Sequence, residues 1–131
     1  MVRTRPDLNY TKEHEWVKVE DGKAYVGITY YAQEQLGDIV FVELPEVDDE
    51  FSKDEEVCVV ESVKAVADIY APISGAIEEV NEKLLDNPET VNSDPYGEGW
   101  LFIMSISDEG ELNDLLTAQE YEKILKEEGE G

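Results

Sequence analysis

The sequence predicts a mainly β protein, a barrel or sandwich folded as one domain. Seven short runs are rich in β-branched or aromatic residues. Turn signals separate these runs, and helical patterning is confined to two places. With 131 residues and an apolar fraction of 41% gathered in short runs, the chain can bury one core. Many short strands at this spacing indicate a closed or two-layered β architecture.

In chain order, Trp16–Val19 and Ala24–Ile28 read as strands on either side of Asp21-Gly22. Thr29 then caps a short helix over Tyr30–Leu36, after the second predicted strand, and Gly37 stops it. Ile39–Leu44 follows the Gly37-Asp38 turn signal. Glu56–Val63 and Ala65–Tyr70 are strand-like runs, and Ala76–Val80 is another, preceded by Ser74-Gly75. Asn87-Pro88 and Asp94-Pro95-Tyr96-Gly97 punctuate the approach to Leu101–Ile106. A turn around Glu111–Leu116 leads to Thr117-Ala118-Gln119-Glu120, which has capping-box form. Tyr121, Ile124 and Leu125 then recur at helical spacing, so a C-terminal helical segment spans about 111–128. The tail Glu127–Gly131 reads as frayed. With no linker and no internal repeat, 1–131 is a single domain, and a monomer is expected.

Charge narrows the function. Asp and Glu number 33 against 10 Lys and Arg, a net charge of -23. Phosphate backbones and anionic membrane surfaces need clustered cations, so both are poor partners. A protein partner should instead offer a basic rim, with salt-sensitive association. No apolar run is long enough to cross a bilayer, and the opening MVRTRPDLNY has no apolar signal core. The single Cys58 rules out an internal disulfide and any multi-cysteine metal motif, and no metal site is expected. A reducing, cytoplasmic compartment is the expectation.

The stretch VCVVESVKAVADI, Val57–Ile69, holds one lysine among β-formers. An ammonium is costly in apolar surroundings. A chain reversal near Val63-Lys64 would put Lys64 at a hairpin tip, although no Gly, Asn or Pro marks a turn. A continuous strand with Lys64 on its solvent face is the alternative. Three roles compete. A Schiff-base or general-base lysine needs a depressed pKa, yet the neighbours are apolar or acidic. A surface lysine could protect a strand edge. A projected, accessible amine on a rigid scaffold suits enzymatic acylation. Cys58 reads as a core residue, as do the aromatics Trp16, Trp100 and Phe102. His14 reads as a capping or surface hydrogen-bond partner.

Glu61-Ser62-Val63-Lys64-Ala65 closely resembles the lipoylation motif of the glycine cleavage H-protein family. The likeness continues in ordered blocks through nearly the whole chain. His14-Glu15-Trp16-Val17, Gly27-Ile28-Thr29, Ala32-Gln33 and Leu36-Gly37 come first. Val40-Phe41-Val42-Glu43-Leu44-Pro45, Ala71-Pro72-Ile73-Ser74-Gly75, Asn92–Gly97 and Gly99-Trp100-Leu101 follow. Two positions depart from the pattern: Glu13 stands where members have a small polar residue, and Gln35 where some have histidine.

The resemblance implies a lipoyl/biotinyl-type flattened β-barrel or sandwich, a barrel-sandwich hybrid, with the lysine on a hairpin at about 56–70. It implies lipoate joined to Lys64 as N6-lipoyllysine, and a non-catalytic carrier rather than an enzyme. The arm would shuttle the aminomethyl group of glycine from glycine decarboxylase (P-protein) to the aminomethyltransferase (T-protein). Dihydrolipoyl dehydrogenase (L-protein) would then reoxidise it, and a lipoate-attaching enzyme would load it first. A loaded aminomethyl group is cationic and labile, so a carboxylate-bearing cleft that excludes water would protect it. By the same resemblance, Glu15 and Asp68 fall where carboxylates meet the loaded arm. Four alternatives remain: a lipoate relay protein of similar build, a free-standing lipoyl carrier of another system, a small enzyme using Lys64 covalently, and a pure interaction domain without modification. A biotinyl carrier fits less well, because that family favours methionines where Val63 and Ala65 stand.

Overall fold

The computed structural model describes residues 4–127. Nine strands form two antiparallel sheets. The strands are β1 (Asn9–Tyr10), β2 (Glu15–Glu20), β3 (Lys23–Ile28), β4 (Ile39–Glu43), β5 (Glu50–Phe51), β6 (Glu56–Ser62), β7 (Val66–Tyr70), β8 (Gly75–Val80) and β9 (Phe102–Ser105). The larger sheet runs β1-β2-β3-β9-β8-β5, and the smaller runs β4-β6-β7.

Period-two alternation builds the layer between the sheets. From the larger sheet come Val17, Val26, Ile28, Ile77, Phe102 and Met104; from the smaller, Val42, Cys58, Val60 and Ile69. Alternation turns Cys58, Val60 and Ile69 of the smaller sheet inward, whereas a register shift between Ile39 and Phe41 leaves Val40 and Phe41 both exposed on β4. Val42 lies opposite Val60 in the core, while Phe41, Glu61 and Val66 align across the outer face. A second cluster of Leu8, Tyr10, Trp16, Ala118 and Tyr121 packs where the C-terminal helix returns to β1.

All seven expected strands are present, with ends shifted by a residue or so. β1 and β5 were not expected, because two residues carry no periodicity. Consequently α1 (Tyr30–Leu36) follows the third strand rather than the second. Its ends are as read: Thr29 Oγ1 accepts from Ala32 N at 3.2 Å, and Gly37 N donates to Gln33 O at 2.9 Å. The loop between β8 and β9 holds two unexpected single-turn helices, α2 (Lys83–Asp86) and α3 (Thr90–Ser93). A 3-10 turn covers Glu109–Asp114, and α4 covers Ala118–Glu127. The capping box before α4 is reciprocal: Thr117 N donates to Glu120 Oε1 at 2.9 Å, and Glu120 N to Thr117 Oγ1 at 3.2 Å. The frayed tail lies beyond the described residues, apart from Glu127. Among the described residues, no helix is long and apolar enough to cross a membrane.

Candidate functional site

The chain does reverse at Lys64, so the continuous-strand alternative is set aside. β6 pairs antiparallel with β7, placing Glu61 opposite Val66 and Val60 opposite Ala67. No glycine makes the turn. The Ser62 side chain does it instead, its Oγ accepting from Ala65 N at 3.0 Å and from Lys64 N at 3.2 Å. Ser62 N also donates to Ala65 O at 2.8 Å. A serine hydroxyl can bond the backbone locally, which substitutes for turn chemistry that composition would reveal. Next door, Val63 N donates to Asp38 O at 3.0 Å, fastening the tip to the residue after Gly37.

Lys64 is exposed, and among the described residues no ion pair holds its ammonium. Its stem lies over Gly37: a Cβ added there would sit 3.5 Å from Lys64 Cε and 4.0 Å from Nζ. Gly37 has φ 79 and ψ -156, a region essentially reserved for glycine. The surroundings are apolar and unusually open, with Val63 67% and Val66 61% exposed. Val40 and Phe41 are likewise exposed, and Glu43, Glu61 and Asp68 lie among these side chains on the outer face.

Glu15 and Asp68 have different environments. Glu15 opens β2 and is 1% exposed. Its Oε1 accepts from Thr11 Oγ1 at 2.7 Å, and its Oε2 from Tyr70 N at 3.0 Å, at the end of β7. Burial pushes its carboxyl up to about 7, against the pull of the Thr11 and Tyr70 hydrogen bonds. It lines a cleft of about 510 Å³ together with Glu13, Asp54 and Tyr70. Asp68 is exposed on β7, two residues before Tyr70, and neither it nor Lys64 is among the residues lining that cleft. One strand therefore has the lysine turn at its start and the buried acid at its end, with Asp68 between.

The remaining candidates are structural. Cys58 is buried, and burial pushes its thiol well above the ordinary range, which leaves it inert. His14 makes an internal bond rather than a surface one: its Nδ1 lies 2.8 Å from Tyr121 Oη, which is also 2.7 Å from Thr29 Oγ1. That pair of contacts ties α4 to the N-cap of α1. Trp16 and Phe102 are core residues, and Trp100 packs half-buried against the second cluster. The sequence reading missed Ser62 as the turn-maker and Asp38 as the anchor. The Gly37-Asp38 pair was the available signal, but it was read as a helix stop and a turn, not as an anchor for the lysine tip.

Comparison with known proteins agrees with this architecture. The family model for the glycine cleavage H-protein matches residues 8–128. The glycine cleavage system H protein of Thermotoga maritima is 63% identical over 119 residues, covering 91% of this chain and 96% of that protein. That of Carboxydothermus hydrogenoformans is 55% identical over 124 residues, covering 95% of each. Among solved structures, a glycine cleavage system H protein from Mycobacterium marinum superposes with a TM-score of 0.85 at 42% identity. That superposition covers 96% of this chain and 99% of the other. With its lysine hairpin, two-sheet core and end-to-end similarity, the chain belongs to the glycine cleavage H-protein family.

Proposed function

We propose that this chain is the lipoylated carrier of the glycine cleavage system. Lys64 holds lipoate in amide linkage. It carries the aminomethyl group of glycine from glycine decarboxylase to the aminomethyltransferase, then meets dihydrolipoyl dehydrogenase for reoxidation. The observation behind this reading is an unpaired, exposed lysine at a braced hairpin tip within Glu61-Ser62-Val63-Lys64-Ala65, in a chain of the H-protein family.

The residues present fit the group. Acylation needs open approach to Nζ, a stem free of competing ion pairs and a tip of fixed register, and each has support above. Lipoate supplies the redox-active dithiol that a chain with one buried cysteine lacks. Amide formation removes the Lys64 charge. Ser62 and Asp38 hold the backbone beneath the arm, so the domain acts as a rigid mount at high effective concentration near a docked partner. Val40, Phe41, Val63 and Val66 meet the partner's surface, and the surrounding acids select one with a basic rim. The lipoate-attaching enzyme meets the same tip first. Glu15 and Asp68 serve the cationic loaded group: burial raises the Glu15 carboxyl to about 7, so a nearby cation would favour its ionised form, and Asp68 offers charge along the strand. A lone buried thiol suits a reducing, cytoplasmic compartment.

Incubation with a lipoate ligase, lipoate and ATP, followed by intact-mass analysis, should give one adduct on Lys64. Reconstitution of the loaded protein with glycine decarboxylase and glycine should then release carbon dioxide. An unmodified chain under conditions that lipoylate a known carrier would overturn the reading. A modified chain that leaves the decarboxylase idle would exclude the glycine cleavage role alone.

A further inference from the structure

The block Asn92–Gly97 stands out in the sequence but takes no part in the site described so far. Its first residue lies on α3, 28 positions from Lys64 in sequence. The Asn92 amide reads three groups at the far end of α1. Nδ2 donates to Gln33 Oε1 at 2.9 Å and to Gly37 O at 2.8 Å, while Oδ1 accepts from Ile39 N at 2.8 Å. A carbonyl at Gly37 demands a donor and an amide at Ile39 demands an acceptor. A carboxamide presents both on one side chain, on separate atoms, and the backbone partners fix which way it points.

Those contacts bracket Asp38. Its carbonyl accepts from Val63 N at 3.0 Å, immediately before the lysine. Gly37, held by Asn92 on its carbonyl, is also the surface beneath the Lys64 stem. Farther along the block, Tyr96 Oη accepts from Tyr30 N at 3.1 Å at the opposite end of α1. One segment thus grips both ends of the short helix whose exit supports the lysine.

We propose that Asn92 is a positioning residue for the lysine arm, clamping Gly37–Ile39 so that Asp38 O holds the Val63–Lys64 tip at a fixed height and direction. This rests on the reading that Lys64 is the attachment point. Among the described residues the Asn92 side chain bonds Gln33, Gly37 and Ile39 and not Lys64, so it acts through the backbone of residues 37–39. Aspartate in its place would keep the acceptor for Ile39 N but lose both donors, setting a carboxylate oxygen against the Gly37 carbonyl.

The test uses the full chain, with amide hydrogen exchange by NMR and steady-state lipoylation by a lipoate ligase. In the wild type, the Ile39 and Val63 amides should be protected together, as parts of one braced unit. In Asn92→Asp, both should lose protection, while the Ala24 and Val26 amides of the other hairpin keep theirs. Lipoylation of the variant should lose about tenfold in kcat, with KM for the carrier changed less than about twofold, because misplacement affects presentation more than docking. Asn92→Ser, too short to bridge Gly37 and Ile39, should behave likewise. Free exchange at Val63 in the wild type would overturn the proposal, whether or not either variant folds. So would wild-type kcat and Val63 protection in a folded variant, or protection lost equally at all amides. If the wild type took lipoate elsewhere than Lys64, the underlying reading would fail instead.

Discussion

Two hairpins in this chain carry a lysine at or beside the tip, and they are built in opposite ways. Between β2 and β3, Glu20 faces Lys23 across Asp21 and Gly22, both at positive φ (54 and 78). That is a two-residue turn of the kind Asp-Gly favours, complete in its own sequence. Its lysine is held: Lys23 Nζ lies 3.0 Å from Glu78 Oε1. Between β6 and β7 there is no glycine and no residue at positive φ. A serine hydroxyl makes that turn, a distant carbonyl fastens it, and its lysine is unpaired. The self-sufficient turn serves the fold. The dependent one holds the exposed lysine, and its geometry is set by Ser62 and by the distant Asp38 carbonyl. Glu15 links the two, since it begins β2 and its carboxylate satisfies Tyr70 N at the end of β7.

The largest test of that contrast is modification itself. Lys64→Ala should abolish the lipoyl adduct in intact-mass analysis, and Lys23→Ala should leave it complete. Transfer of the adduct to Lys23 when Lys64 is missing would break the comparison, because tip position alone would then suffice.

Next in size is the link between the hairpins. The Glu15 carboxyl titrates near 7 in the fold against an ordinary 4.5, so between those values the folded protein keeps a proton that the unfolded chain has lost. Its contribution is therefore present in full below about 4.5 and is lost as pH rises through 7, a change of about 3 kcal/mol. Glu15→Gln keeps the shape and cannot ionise. Denaturant titrations at pH 4.5 and 8 should show a smaller decline for the variant than for the wild type. Equal declines would remove Glu15 as the group responsible.

Smaller effects separate the turns themselves. Ser62→Ala removes the acceptor of two tip amides and should cost roughly 1 to 2 kcal/mol, with slower lipoylation. Gly22→Ala meets open space but must hold φ 78, so it should cost about 1 kcal/mol and leave lipoylation unchanged. If Gly22→Ala slowed lipoylation as much as Ser62→Ala, the hairpins would not be functionally distinct.

Much of this was legible before folding. The alternation in Val57–Ser62 and Val66–Tyr70 announced strands with one buried face. Thr29, Gly37 and the Thr117–Glu120 box marked helix ends, because capping is local hydrogen bonding. β1 and β5 were illegible because two residues have no period. The reversal at Lys64 was legible as one of two alternatives, but what makes it was not, because Ser62 is an unremarkable residue until its hydroxyl is seen against Lys64 N and Ala65 N. Asn92 could be noted as part of a block, but not as a reader of Gly37 and Ile39, since those partners lie more than fifty residues away.

By itself the sequence determined the β class, the ends of the principal elements, the acidic surface and the identity of the one candidate lysine. Each of these follows from side-chain chemistry and near-neighbour spacing. Only the tertiary structure decided that Lys64 stands at a reversal over Gly37, that Glu15 is buried against Tyr70 rather than solvated, and that Asn92 braces the segment between them. Those depend on hydrogen bonds between groups far apart in the chain, and only the packing of the two sheets brings such groups within reach.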